Sequence, residues 1–224
     1  MSKFIQELVP FVKLQKTTDE VTGVRTYLTP NGKNYPSITT ILSADKKKIA
    51  QINAWRQRVG KDVAKKIVAK ASKRGKSLHT EIEDYILEGE TSHNSFSLFP
   101  IVKPVIDANL GTIYGVEKGV YSHRLKCAGT FDCFAQWAGV NSLIDWKSSK
   151  KMKQKSWIEN YLLQASFYSM CIWELKQIKI KQIVILIGVD GERTPQLFVE
   201  QTSNYIDKVI STIKMYYKDH SLRL

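Results

Sequence analysis

The sequence predicts an α/β fold of the α+β type, in which a central mixed β-sheet is flanked by helices and preceded by a helical region. Three observations support this fold class. Apolar residues recur at helical spacing in residues 45–89 and 157–175. Two strand-like segments, residues 131–137 and 142–147, are separated by a short turn. The apolar run at residues 182–189 has the length of a buried strand.

Composition and charge restrict the possible partners. With 224 residues, of which 43% are hydrophobic, the chain is long enough for one sizeable domain with its own core. The 34 Lys and Arg outnumber the 21 Asp and Glu, which gives a formal net charge of +13. Such a charge attracts polyanions whatever their sequence, so nucleic acid is the first candidate partner.

The sequence argues against membrane insertion, import and cysteine-based sites. No apolar run approaches the roughly 18 residues that a membrane span requires, so we expect no membrane partner. The first residues contain no apolar signal core, and no Arg precedes Arg25, which argues against an import presequence. Cys127, Cys133 and Cys171 are odd in number and form no Cys-x-x-Cys motif. We expect them to be buried thiols in an intracellular protein.

The N-terminal part predicts a hairpin followed by a short helix. A turn signal at Pro30-Asn31-Gly32 lies between strand-like pieces, which predicts a small hairpin over residues 26–35. Residues 36–42 begin like a helix, with Ser37 as its cap. Residues 1–20 show no clear period and receive no functional assignment.

Residues 45–89 are predicted to form three helices that end at Gly60, Gly75 and Gly89. This stretch is strongly basic, and for Lys46 to Lys70 a solvated helix face explains the charge as well as a phosphate-binding track does. Its last basic residues lead directly into His79, however, and we predict that they bind phosphates. These residues are Lys73, Arg74 and Lys76.

A further helix and a strand follow. Residues 95–111 include Pro100 and Pro104, so a helix over residues 101–110 is expected to be kinked or to begin late. Residues 113–125 alternate loosely as a strand that contains Glu117. From the residues alone, Glu117 is more simply a solvent-facing strand residue.

The strand pair at residues 131–147 concentrates charged groups. Ala138-Gly139 is the predicted turn of an antiparallel hairpin, and that register places Asp132 opposite Asp145. The strand period of two puts Lys147 on the same face as Asp145. Opposed carboxylates repel each other, so we infer a cation between them, and oxygen ligands favour Mg²⁺ or Mn²⁺. A lone Asp-x-Lys would more simply be a surface ion pair.

The remaining segments complete the predicted sheet and its helices. Residues 148–155, dense in Lys and Ser, suit a loop that binds phosphate beside the site. The candidates in this loop are Ser148, Lys150 and Lys151. The helix over residues 157–175 places Gln164 and Tyr168 one turn apart. Strands at residues 182–189 and 196–200 and a helix over residues 205–217 follow.

Six short motifs together resemble the RecB-like branch of the PD-(D/E)XK nuclease superfamily. They are Tyr35-Pro-Ser-Ile-Thr, Trp55-x-x-Arg58, Gly75-x-x-x-His79, Gly129-x-x-Asp132, Ile144-Asp-Trp-Lys147 and Gln164-x-x-x-Tyr168. Within that branch the pattern is similar to the genome maintenance exonucleases of mitochondria and their phage and bacterial relatives. The resemblance implies one nuclease domain over residues 1–224, with a helical arch at residues 43–112 and a restriction-endonuclease-like catalytic core at residues 113–224.

The resemblance also implies an activity and a set of site residues. The activity is metal-dependent hydrolysis of phosphodiester bonds at the ends of single-stranded DNA. The implied metal ligands are His79, Asp132, Asp145 and the backbone carbonyl of Trp146. Lys147 is then catalytic, Gln164 and Tyr168 orient groups around the scissile phosphate, and Glu117 faces the metal region. The expected cofactor is Mg²⁺ or Mn²⁺, whereas the iron–sulfur cluster of some relatives needs four Cys and is not expected.

Two other functions are compatible with the sequence. A non-catalytic protein that binds single-stranded nucleic acid needs a basic groove and exposed aromatic residues, and Trp55, Trp137, Trp146 and Trp157 are available. A PD-(D/E)XK endonuclease would use the same catalytic residues. We expect a monomer. Because no presequence is evident, we expect a bacterial or phage-infected bacterial cytoplasm rather than a mitochondrion.

Overall fold

The computed structural model describes residues 2–91 and 97–220. The strands are β1 (Gln15–Thr18), β2 (Arg25–Leu28), β3 (Asn34–Pro36), β4 (Leu110–Ser122), β5 (Cys127–Trp137), β6 (Val140–Ser149), β7 (Gln182–Val189) and β8 (Gln196–Gln201). The helices are α1 (Ile38–Ser43), α2 (Lys46–Val59), α3 (Lys61–Glu88), α4 (Phe99–Asn109), α5 (Glu159–Lys176) and α6 (Ser203–Asp219), and a 3₁₀ turn, Lys155–Trp157, precedes α5. Within these described residues, no helix combines the length and apolar character that a bilayer crossing requires.

The central sheet has five strands in the order β4-β5-β6-β7-β8. Neighbouring strands are antiparallel except for β6 and β7, which run parallel and are connected through α5. A parallel pair requires such a crossover, because the chain must return to the edge where the first strand began. The predicted α+β class with a mixed sheet is confirmed.

Helices cover both faces of this sheet. On one face α1, α5 and α6 enclose a core that includes Phe167 and Leu143. On the other face α4 and the C-terminal half of α3 enclose a core that includes Ile82, Ile106 and Ile144. Leu143 and Ile144 are neighbours in β6 and point to opposite faces, as the strand period of two requires. The sheet is therefore buried on both sides.

The N-terminal part forms a second, three-stranded antiparallel sheet in the order β1-β2-β3. The predicted hairpin at residues 26–35 is confirmed as β2 and β3. Ser37 caps α1, because its hydroxyl accepts a hydrogen bond from Thr40 N at 3.0 Å. Residues before β1 join the central sheet, since Glu7 N and Val9 N donate to the carbonyls of residues 113 and 114.

The predicted division of residues 45–89 into three helices is wrong. Gly60 and Gly89 end helices with φ of 85° and 89°, but α3 continues through Gly75. A helical Gly costs only about 1 kcal/mol relative to Ala, which the buried side chains beyond it can outweigh. The predicted helix over residues 101–110 is present, but it begins earlier than predicted, at Phe99, because Pro100 is accommodated in its first turn. Residues 95 and 96, at the start of the segment considered, lie outside the described residues.

The three cysteines are free and buried, which confirms the expected thiols.

Candidate active site

Three neighbouring strands bring three carboxylates to one level of the sheet. The register of β4 and β5 puts Glu117 opposite Asp132. The register of β5 and β6, continued one step beyond the pair Cys133 and Ile144, puts Asp132 opposite Asp145. The strand pairing therefore assembles an acidic cluster from segments that are distant in sequence.

The predicted hairpin turn sets the register of two of these carboxylates. Trp137 pairs with Val140, which leaves Ala138 and Gly139 as a two-residue turn. Their φ angles are 50° and 78°, and a type I′ turn requires positive φ at both positions. The turn and the antiparallel pairing are as predicted from the sequence.

Asp145 and Lys147 form a buried ion pair. Lys147 Nζ lies 2.5 Å from Asp145 Oδ2 and 4.0 Å from Asp132 Oδ2. Asp145 is 2% exposed, and its Oδ2 receives no hydrogen bond of normal geometry from the described residues. Burial raises the pKa of Asp145, although Lys147 opposes this. Burial would lower the pKa of Lys147, but the charges of Asp145 and Asp132 outweigh it and raise that pKa.

Asp132 is fixed by the backbone of the neighbouring strand. Trp146 N donates a hydrogen bond to Asp132 Oδ2 at 2.8 Å, and the Asp132 residue is 8% exposed. The side chain thus accepts a backbone donor just beyond the last pair of the β5–β6 ladder. The structure therefore brings the amide of Trp146 to the site, and the predicted ligand role of its carbonyl stays a prediction.

His79 reaches the acidic cluster from α3. Its Nδ1 lies 3.7 Å from Glu117 Oε1 and 3.7 Å from Asp132 Oδ2. Burial alone would lower the pKa of His79, but Asp132 and Glu117 outweigh it and raise the pKa to about 9. The imidazole and Lys147 are therefore the cations that balance these carboxylates in the described structure.

Glu117 adopts an uncommon backbone conformation for a strand residue. Its φ is 49°, in the left-handed region, which costs a non-glycine residue about 1–2 kcal/mol. The strand also changes faces here, because Val116 packs in the core beside α3 and Val120 in the core beside α5. Such strain is concentrated at functional sites, and here it accompanies the approach of the carboxylate to His79.

The residues present fit the divalent metal that the resemblance implies. Ligand atoms of His79, Glu117 and Asp132 all lie within 4.8 Å of one another. Adjacent ligands of an octahedral Mg²⁺ lie about 2.9 Å apart and opposite ligands about 4.1 Å, because each bond is about 2.0–2.1 Å. The 3.7 Å separations from His79 Nδ1 lie between these values, so shifts of less than about 1 Å would bring the atoms onto one shared cation. One imidazole nitrogen with carboxylate oxygens is a donor set for Mn²⁺ or Mg²⁺.

The side chains of this group differ from the predicted ligand set in two respects. Glu117, expected only to face the metal region, belongs to the group. Asp145, expected as a ligand, lies outside it and contacts Lys147.

Gln164 and Tyr168 lie beside the ion pair, one helical turn apart on α5. Gln164 Nε2 donates to Tyr168 Oη at 3.3 Å and to Asp145 Oδ1 at 3.4 Å. Tyr168 is 3% exposed and packs against Gly129. A Cβ at residue 129 would lie 2.6 Å from Tyr168 Cε1, so this position has no room for a side chain.

Side chains of the candidate site, Gln164 and Tyr168 among them, line a cavity of about 650 Å³. The members predicted from the sequence are Lys76, His79, Glu117, Asp132, Lys147, Gln164 and Tyr168. A larger cavity of about 1460 Å³ lies at the other end of α5 and shares none of these residues, so size alone does not identify the site. The wall that was not predicted comes from the N-terminal sheet and α1, with Lys16, Arg25, Tyr27 and Thr39.

Of the other predicted phosphate-binding residues, Arg74 and Ser148 contact each other, and Gly75 of the cavity wall lies beside Ser148. Arg74 Nε donates to Ser148 Oγ at 3.4 Å, and Arg74 Nη1 lies 3.8 Å from Asp190 Oδ2. Lys73, Lys150 and Lys151 are exposed. Ser148 belongs to the end of β6 rather than to the predicted loop, which begins at residue 150.

The tryptophans do not form the predicted set of stacking surfaces. Trp137 and Trp146 are each 2% exposed and pack in the core beside α3 and α4. Trp157 is 60% exposed, and Trp55 is partly buried. A binding module that depends on all four is therefore not supported.

Comparison with known proteins gives similarity over part of the chain. No family model matches the sequence. Proteins named mitochondrial genome maintenance exonuclease 1 are 28% identical over 134 residues in Homo sapiens, 27% over 129 residues in Xenopus tropicalis and 25% over 129 residues in Mus musculus. Each match includes 53% of this chain but only 37–38% of the relative. These similarities support a nuclease-like relationship.

A solved structure from Eubacterium rectale, whose description names an exonuclease, is 12% identical to the chain, with a TM-score of 0.38. The match covers 60% of this chain and 55% of that one. A likeness at this level has no bearing on function.

Proposed function

We propose that this protein is a metal-dependent deoxyribonuclease of the RecB-like PD-(D/E)XK branch that removes nucleotides from ends of single-stranded DNA. The observation that carries the proposal is the juxtaposition of His79, Glu117 and Asp132 with the buried pair of Asp145 and Lys147. The basic character of the chain and the names of its partial relatives are consistent with a nucleic-acid substrate.

His79, Glu117 and Asp132 would hold the metal, and Asp145 adjoins them through its contact with Lys147. A bound Mg²⁺ or Mn²⁺ supplies a Lewis acid and lowers the pKa of a coordinated water. The residues of the chain do the positioning. Trp146 N fixes one oxygen of Asp132, so the carboxylate keeps its orientation before substrate arrives.

Lys147 supplies a fixed positive charge beside the metal site. Its raised pKa keeps the ammonium protonated, and Asp145 holds it at 2.5 Å. An ammonium in this position can donate a hydrogen bond to a phosphate oxygen or to the attacking water. Gln164 links Asp145 to Tyr168 and thereby holds the pair from the side of α5.

The helical region and the phosphate-binding residues would guide the strand. Lys76 lines the cavity, and Arg74 with Ser148 lies close to it. The basic face of α2 and α3 would form an arch over the site. If a strand must be threaded under this arch, the monomer can cut only from a free end, which makes it an exonuclease. An endonuclease would need no free end.

Cleavage assays test the proposal. The parent protein, Asp132→Asn and Lys147→Gln are compared on end-labelled single-stranded DNA with Mg²⁺, Mn²⁺ or chelator. The matched controls are Asp207→Asn and Lys214→Gln, which remove the same charges from exposed residues. The parent and controls should release nucleotides only with metal, and the two site variants should lose about a hundredfold or more. Equal cleavage by the site variants would refute the assignment, and cutting of circular single-stranded DNA would identify an endonuclease instead.

A further inference from the structure

The cavity has a second wall that is built by the N-terminal sheet. Arg25 and Tyr27 come from β2, Lys16 from β1 and Thr39 from α1. Tyr27 Oη lies 3.2 Å from Thr130 Oγ1 in β5, so this wall is attached to the strand that carries Asp132. The N-terminal residues are therefore part of the candidate site rather than a separate appendage.

Arg25 is the notable residue of this wall, because its guanidinium has no ion-pair partner among the residues that the structure describes. Its Nε is buried without a hydrogen bond, and no carboxylate of the described residues lies within ion-pair distance of its guanidinium. The cavity also contains the carboxylates of Glu83, Glu117 and Asp132, and none of them pairs with it. The Arg25 residue is partly buried, and a guanidinium nitrogen buried without a hydrogen bond is unfavourable unless a ligand satisfies it.

The backbone of Arg25 is held on both sides. Its N–H donates to Thr40 Oγ1 at 3.1 Å, and its carbonyl accepts from Ser37 N at 2.8 Å. Ser37 is also the cap of α1. The motif Tyr35-Pro-Ser-Ile-Thr therefore has a structural consequence, since it fixes the strand position from which Arg25 enters the cavity.

We infer that Arg25 is a phosphate-binding residue that holds a backbone phosphate of the bound strand next to the one that is cleaved, with Lys16 as an accessory cation. The inference rests on the proposed function only in taking nucleic acid as the ligand. The chemistry fits, because the planar guanidinium binds phosphate oxygens in pairs. The scissile phosphate belongs instead at the opposite wall, where Lys147 adjoins the acidic cluster.

Binding in chelator separates this inference from catalysis. Fluorescence anisotropy with a labelled single-stranded oligonucleotide is measured across a series of KCl concentrations for the parent, Arg25→Gln, Arg25→Lys and Arg124→Gln. Arg124 is an exposed arginine outside this cavity, and its replacement removes the same charge. Arg25→Gln should bind about ten- to a hundredfold more weakly, and its log–log salt slope should fall by about 0.7, the value for one contact with a single strand.

Oligonucleotides with single uncharged methylphosphonate linkages locate the contact. The parent should lose affinity when one particular linkage is neutral, and Arg25→Gln should be insensitive at that linkage. The melting temperature of Arg25→Gln should not fall, because no hydrogen bond or ion pair of the guanidinium within the described residues is removed, whereas a structural role for the guanidinium predicts a lower value. Arg25→Lys should keep most of the salt slope.

Two outcomes overturn the inference. One is a parent that binds DNA with the same affinity and salt slope as Arg25→Gln. The other is a parent that binds no single-stranded nucleic acid. Failure of the parent to cleave DNA, with binding that depends on Arg25, would refute the proposed catalysis and leave this phosphate site standing.

Discussion

Replacing Gly129 with alanine should destabilise the protein through a single contact with Tyr168. A Cβ at this position would lie 2.6 Å from Tyr168 Cε1 and 2.8 Å from its Oη, closer than real side-chain contacts. The ring is 3% exposed and packs in the core between the sheet and α5, so moving it away from residue 129 would disturb its packing there. Overpacking of this kind costs about 1–3 kcal/mol.

The same displacement should disturb the candidate site. Tyr168 accepts a hydrogen bond from Gln164, which also donates to Asp145. Movement of the ring therefore removes one of the two contacts that orient the Gln164 amide. If the protein is a nuclease, Gly129→Ala should lower its turnover even at temperatures where the variant is fully folded.

A double-mutant cycle measures this contact directly. The free energy of unfolding is determined from urea titrations in chelator for the parent, Gly129→Ala, Tyr168→Ala and the double variant. Tyr168→Ala alone should cost about 3–5 kcal/mol, as for other buried aromatic residues. Once the ring is absent, the alanine at residue 129 should cost almost nothing, so the coupling should be about 1–3 kcal/mol. An equal cost of Gly129→Ala in both backgrounds would refute the steric explanation.

Three further predictions concern the charged cluster and α3. The pKa of His79 is raised from an ordinary 6.5 to about 9. In chelator, the protonated imidazole should therefore contribute fully to the free energy of unfolding below pH 6.5, and this contribution should be lost as the pH rises through 9. At most about 3 kcal/mol of stability should disappear over that window, and a series of urea titrations should find this loss in the parent but not in His79→Gln. Lys147→Met leaves Asp145 buried without its cation, so the free energy of unfolding should fall by about 3–5 kcal/mol at pH 8. The loss should be smaller at pH 5, where Asp145 takes up a proton, and a loss independent of pH would contradict this. Gly75→Ala should stabilise the protein by up to about 1 kcal/mol in thermal unfolding, because the new Cβ would meet only Ser148 Oγ at 3.6 Å, and a loss of stability would show that the glycine is required.

The fold class could be predicted because local signals and burial agree along most of the sheet. Ala138-Gly139 suits a two-residue turn, and such a turn determines which residues pair in the hairpin. Asp132 and Asp145 could be brought together on this basis alone. The Ser37 cap was likewise readable, because a capping hydroxyl acts within one helical turn.

The rest of the site depends on contacts that no local pattern encodes. The alternation of side chains along a strand does not predict that β4 changes faces at Glu117. That change accompanies the φ of 49° at this residue. From the residues alone Glu117 was expected to face solvent, and it is exposed, but its carboxylate also reaches His79, which the sequence pattern could not show. Arg25 was missed for a different reason, because a lone Arg in a short strand has no periodic or motif signal, and only its position in the cavity wall and its unbonded Nε distinguish it.

One long helix, α3, carries basic residues in its first half and the candidate metal ligand His79 in its second half. Its 28 residues span about 42 Å at 1.5 Å per residue, without a break at Gly75. Val63 and Ile67, in its first half, are 50% and 46% exposed, whereas Leu78 and Ile82, around His79, are buried against the sheet. The contacts that anchor α3 to the sheet are therefore concentrated in the half that carries the imidazole. Because a continuous helix moves largely as one body, a change in those anchoring residues should displace His79 and the basic N-terminal half together.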